Sequence, residues 1–95
     1  MPFVYIVCCS DGSLYTGWTT DVEARVRAHN AGRGSLYCRQ RRPVRLVYQE
    51  KVPDRRAAMQ RELAIKRMAR QKKMRLIAGA SPGHTVDVPC GEQNG

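Results

Sequence analysis

Five side chains in this sequence carry groups fit for ligand or hydrolytic chemistry. They are the phenols of Tyr5 and Tyr15, the guanidinium of Arg25, the imidazole of His29 and the carboxylate of Glu62. A phenol, with a pKa of about 10, is a poor base unless nearby cations depress it. An imidazole near about 6.5 can take a proton outright or relay one. A guanidinium grips oxyanions through a two-pronged fork, and a carboxylate is a hard oxygen ligand for a cation. Spacing alone also leaves each a plainer role. The tyrosines fit core aromatics. Arg25 and His29, four apart, fit an exposed Arg and a helix-terminal His suited to the C-terminal dipole. Glu62 is the sole acidic residue between Arg55 and Arg75, a stretch with nine Lys or Arg, and Lys66 one turn on is a natural ion-pair partner.

The elements that must position these groups follow from pattern. Phe3–Cys9 is β-branched and aromatic with almost no polar residue, which predicts a central strand covered on both faces. Asp11-Gly12 then marks a hairpin, with Leu14–Trp18 as the return strand. A turn centred on those two residues sets opposite each other positions whose numbers sum to about 23. Tyr5 then faces Trp18, and Tyr15 faces Cys8. Thr20-Asp21-Val22-Glu23 offers a capping box with Thr20 as N-cap, opening a helix over about 21–29 that Asn30-Ala31-Gly32 stops. Residues 32–42 form a loop rich in Gly and Arg, and Pro43 introduces a strand over 44–50. Pro53-Asp54 starts a helix reaching about Arg70, and 72–78 reads as a short further helix ended by Gly79. Few strands, mostly antiparallel, with helices packed on them define an α+β domain over 1–78. Residues 79–95, broken by Pro82, Gly83, Pro89 and Gly91, read as a flexible tail outside it.

Charge narrows the partners. The chain has 95 residues and 42% hydrophobic content, enough for one small core. All 17 Lys and Arg lie between Arg25 and Arg75, so residues 1–78 set 17 basic against 6 acidic side chains, a net +11. Arg dominates, Lys occurring only at 51, 66, 72 and 73. Such an excess predicts a polyanionic partner, because cations placed on phosphates release condensed counterions. The loop arginines Arg33, Arg39, Arg41 and Arg42 are the expected phosphate contacts. No apolar run reaches a membrane span and no secretory leader is visible, which predicts a soluble cytoplasmic protein without a membrane partner. The four cysteines lack C-x-x-C spacing and lie apart from His29 and His84. That argues against zinc and predicts reduced thiols.

The segments Val4-Tyr5-Ile6-Val7, Leu14-Tyr15-Thr16-Gly17-Trp18-Thr19, Arg25–Asn30 and Glu62–Lys66 together resemble the GIY-YIG nuclease superfamily, in particular its small stand-alone bacterial members. The likeness covers about residues 3–78. Phe3-Val4-Tyr5 stands for the first signature and Tyr15-Thr16-Gly17 for the second, with Glu62 37 residues after Arg25. The resemblance implies a three-stranded antiparallel sheet flanked by helices, and hydrolysis of a DNA, or less expectedly RNA, phosphodiester with Mg²⁺ or Mn²⁺. Residue by residue, it implies that Tyr5 and Tyr15 are the motif tyrosines, Arg25 the helix arginine and Glu62 the metal carboxylate. His29 matches a histidine found in a subset of members. Lys66 and Lys72 are further substrate contacts on this reading. The chain departs from the pattern at Trp18, where many members have Lys, and at Lys72-Lys73-Met74, where several branches have Asn.

With no second domain to read bases, the expected substrate is a DNA structure (branched, flapped or damaged), as in DNA repair. The alternative reading is a nucleic-acid-binding module that keeps the scaffold without catalysis and acts with a protein partner. A ribosome- or RNA-associated basic protein is a third.

Overall fold

The computed structural model describes residues 1–34 and 36–79, with the backbone alone at 36 and 37. Its first feature is the turn that closes β1 (Phe3–Cys8) against β2 (Leu14–Thr19). The hairpin loop has three residues rather than two. Gly12 N–H donates to Cys9 O at 3.0 Å and Cys9 N–H to Ser13 O at 2.8 Å. Gly12 sits at φ 87°, the left-handed conformation a glycine adopts without steric cost. The Asp11 carboxylate accepts from Ser13 N–H at 3.0 Å and Ser13 Oγ at 2.6 Å. A type I turn followed by a left-handed glycine moves the register by one from that of a two-residue turn. Tyr5 therefore faces Gly17, and Tyr15 faces Val7.

β3 (Arg45–Lys51) pairs with the other edge of β1, giving the antiparallel order β2-β1-β3. A register shift between Ile6 and Val7 interrupts that ladder. The middle strand is buried on both faces, as its unbroken apolar run requires. Val4, Ile6 and Cys8 join Val47, Ala58, Ile65 and Ile77 on one face. Tyr5, Val7 and Cys9 join Val22, Cys38 and Val44 on the other. Cys9 and Cys38 take part in no disulfide. Cys8 is disulfide-bonded, which corrects the expectation of four reduced thiols; Cys90 lies outside the described residues.

Helices cover both faces. α1 (Val22–Asn30) begins one residue later than the sequence predicts, because Asp21, not Thr20, caps it by accepting from Ala24 N–H at 3.1 Å. Its end is a Schellman turn: Arg33 N–H reaches Ala28 O at 2.8 Å and Gly32 N–H reaches His29 O at 3.2 Å, with Gly32 at φ 84°. A short helix, α2 (Leu36–Arg39), occupies part of the expected loop. α3 (Arg55–Lys66) is capped by the Asp54 carboxylate, which accepts from Ala57 N–H at 2.8 Å. It stops at Lys66 instead of Arg70, and α4 (Arg70–Ala78) follows. The break lets Met68, Met74 and Ile77 all reach the cluster around Ile65. Arg70 Nη2 also donates to Gly12 O at 2.9 Å, tying α4 to the hairpin. The architecture is the expected α+β one, a three-stranded antiparallel sheet flanked by helices. Among the described residues no helix is long and apolar enough to cross a membrane. Of the expected tail, only Gly79 is described.

Candidate active site

The corrected register decides where the tyrosines stand. Tyr5 and Tyr15 are diagonal neighbours on the sheet face that α1 covers, with Gly17 opposite Tyr5. A Cβ on Gly17 would meet Tyr5 Oη at 2.6 Å and Cζ at 2.8 Å. The glycine is there because the Tyr5 ring lies across it.

α1 brings the next two groups. Arg25 is exposed, whereas His29 is 1% exposed, like Tyr5. His29 Nε2 lies 2.9 Å from Tyr5 Oη, and the Tyr15 ring meets the imidazole edge-on at 5.6 Å between centroids. Behind the imidazole, the Schellman turn carries the chain so close to Nδ1 that Gly34 has no room for a Cβ. Nδ1 is buried and has no hydrogen-bond partner among the described residues. Burial, then the neighbouring Arg25 charge, hold the His29 pKa below its ordinary value. Burial, then the neighbouring Tyr15, push the Tyr5 phenol well above its own. Near neutral pH the contact is thus one hydrogen bond between two neutral groups.

α3 supplies the carboxylate. It packs on the far face of the sheet through Ala58 and Ile65, yet it runs along the β2 edge. From there Glu62 reaches a cleft of about 520 Å³ lined by Tyr5, Tyr15, Gly17, Trp18, Thr19, Thr20, Arg25, Arg55 and Glu62. Four of the five sequence-selected residues line it, and His29 stands behind Tyr5. The plainer reading of Glu62 also holds: Lys66 Nζ is 3.6 Å from Glu62 Oε2, while lying 5.7 Å from the centre of the Tyr15 ring. Arg25, Arg55 and Lys66 set three positive charges against one carboxylate, so the cleft favours an anion.

The expected phosphate contacts divide. Arg33 and Arg39 are exposed. Arg41 instead pairs with Asp11 at 3.0 Å, and Arg42 donates from Nε to Arg39 O at 3.0 Å and from Nη1 to Asn30 O at 3.3 Å, so both brace the loop. Lys66 stands at the cleft. Lys72, on α4, lies beside Met68, Arg75 and Leu76 at a separate surface hollow. Sequence reasoning missed Arg55, whose guanidinium sits 5.7 Å from the centre of the Trp18 ring. A signal existed. Arg55, Glu62 and Lys66 are spaced by seven and four, one stripe of a helix.

No group of three or more His, Cys, Asp or Glu is arranged to hold a metal among the described residues. The donor set nonetheless suits Mg²⁺, which keeps several waters and binds through one or two carboxylates plus substrate phosphates. Glu62, 23% exposed in an open cleft, is the residue that would hold it.

A small sheet carrying two neighbouring tyrosines, an arginine on the first helix and a glutamate on a later one thus lines a single cleft with an excess of positive charge. Comparison with known proteins agrees. The model for the GIY-YIG catalytic domain matches residues 1–75. A UPF0213 protein of Staphylococcus aureus strain Mu3 is 60% identical over 75 residues, covering 79% of this chain and 92% of that protein. UPF0213 protein SA0446 of strain N315 is equally similar. The solution NMR structure of the UPF0213 protein BH0048 from Bacillus halodurans superposes with a TM-score of 0.56 at 42% identity, over 88% of this chain and 92% of that one. The chain belongs to the GIY-YIG family, a family of nucleases.

Proposed function

We propose that the protein is a divalent-metal-dependent endonuclease that hydrolyses DNA phosphodiesters, selecting branched, flapped or damaged DNA by shape. The observation that carries this reading is the meeting of Tyr5, Tyr15, Arg25 and Glu62 on one cleft, from two strands and two helices. Arg25, exposed and positively charged, binds the non-bridging oxygens where charge grows as the phosphate becomes pentacovalent. Glu62 would hold the divalent metal, which would supply charge neutralisation at the phosphate and its leaving oxygen. Tyr15 lines the cleft and meets the attacking water directly. His29 is enclosed, so it acts through Tyr5, whose hydroxyl it holds in place. Shape selection fits a basic surface that, among the described residues, offers nothing beyond the Arg-rich loop and the helices for base readout.

The test is cleavage of labelled duplex, fork and single strands by purified protein, with Mg²⁺ or EDTA. We expect cutting of the fork in Mg²⁺ and none in EDTA. Arg25→Ala and Glu62→Gln should each reduce the rate by about 10²-fold or more, on the scale seen for loss of one transition-state charge contact. Binding should change little. Cutting that persists in EDTA would exclude the metal-dependent mechanism. The Lys66–Glu62 ion pair favours the second reading, a binding module without turnover. It stands if Glu62→Ala leaves binding and every activity unchanged.

A further inference from the structure

The chain has one tryptophan, and it lines the cleft. Trp18 is half-buried: it packs in part against the core and in part faces the cleft, on the edge strand, one residue beyond the glycine that accommodates Tyr5. Over its ring lies the guanidinium of Arg55, an exposed side chain that forms no ion pair among the described residues. An indole beside a cationic cleft of about 520 Å³ is a poor match for paired DNA, whose bases are stacked inside the helix. It is a good match for a single unstacked base, whose flat face an aromatic ring can cover.

We propose, resting on the nucleic-acid reading of the cleft, that Trp18 is a stacking platform for an unpaired nucleotide and Arg55 the cation that takes its phosphate. An exposed guanidinium over an aromatic ring contributes a factor of about 2 to 5 in equilibrium terms. A base stacked on such a ring contributes about 5- to 150-fold. The exchange therefore runs toward the base. Arg55 moves from the indole to a backbone oxygen, where its fork has two acceptors instead of none. The site so built selects for a strand with a base free at the cleft, and a continuous duplex leaves the platform unused.

The sole tryptophan makes the test direct, because a base stacked on the indole quenches its fluorescence. The full chain is titrated in EDTA and low salt with oligothymidylate, an abasic strand of equal length, and a hairpin duplex with the same number of phosphates. Oligothymidylate should quench Trp18 and saturate. The abasic strand should bind about 5- to 150-fold more weakly and leave the emission unchanged. The duplex should bind without quenching. Arg55→Gln should weaken base-bearing and abasic strands alike. By anisotropy of a labelled strand, Trp18→Phe should keep the preference for bases and Trp18→Ala should lose it. Equal quenching by the abasic strand, or equal affinity of the wild-type protein for both strands, would overturn the proposal even if Trp18→Ala failed to fold. No metal is present, so the result is independent of whether the protein cuts DNA.

Discussion

His29 is the residue with the most at stake in the site, because it is enclosed, titratable and satisfied on one side only. Its folded-state pKa lies below the ordinary value near about 6.5 through burial and then Arg25. As pH falls through that value, the unfolded chain takes up a proton that the folded chain refuses. The stability it confers is fully present above about pH 6.5 and is lost below it. The melting temperature should therefore fall between about pH 7.5 and 5.5, before most carboxylates titrate. His29→Gln, whose amide can still meet Tyr5 Oη, should flatten that slope. A melting temperature unchanged by His29→Gln across the whole range would show that another group governs it. None of this was legible from residue spacing. A spacing of four places Arg25 and His29 on one side of a helix, but only the tertiary packing of Gly34 and Tyr5 makes one exposed and the other buried.

At the scale of elements, the sequence revealed each strand and the three longer helices, because β-branched apolar runs, a turn pair and helical spacing rest on local chemistry. It missed what depends on one backbone angle or one cap. The hairpin was plain, but its register turned on whether Gly12 occupied a two-residue turn or the left-handed end of a three-residue one. The first helix was plain too, yet Thr20 and Asp21 are both good caps, and the chain uses the second. Asp21→Ala should cost about 1 kcal/mol in urea unfolding, whereas Thr20→Ala should cost close to none. The reverse order would restore the capping box. The short α2 gave no signal because four residues carry no periodicity. The end of α3 was misplaced because Arg67, Met68 and Ala69 do not interrupt a helical pattern; the turn there serves Met68, Met74 and Ile77 in the core.

For the whole molecule, the net charge of +9 sets affinity for polyanions, but the arginines do not share that work equally. Exposed Arg33 and Arg39 have side chains available to phosphate. Replacing either with Ala should lower the slope of log affinity against log salt by about 1 and leave melting unchanged. Arg41→Ala should instead lower the melting temperature slightly, since it removes the ion pair that ties its loop to Asp11 of the hairpin turn. A full salt-slope change for Arg41→Ala with no loss of stability would reverse that assignment.

The sheet order β2-β1-β3 places the strand that precedes the others in the chain at the centre of the fold. On the ribosome β1 leaves first, with both edges and both faces apolar or unpaired. It can obtain one edge partner after Thr19 has emerged, the other only after Lys51, and the helix over its Val4–Ile6 face only after Lys66. Domains of this size fold as units, so synthesis passes through no stable half-product. Glu62 is the last of the cleft-lining residues to arrive, on a helix that still needs Ile77 of α4 to close the core. A prematurely ended chain thus has neither a closed core nor a complete cleft, and is marked for proteolysis by its exposed strand before it can act on nucleic acid.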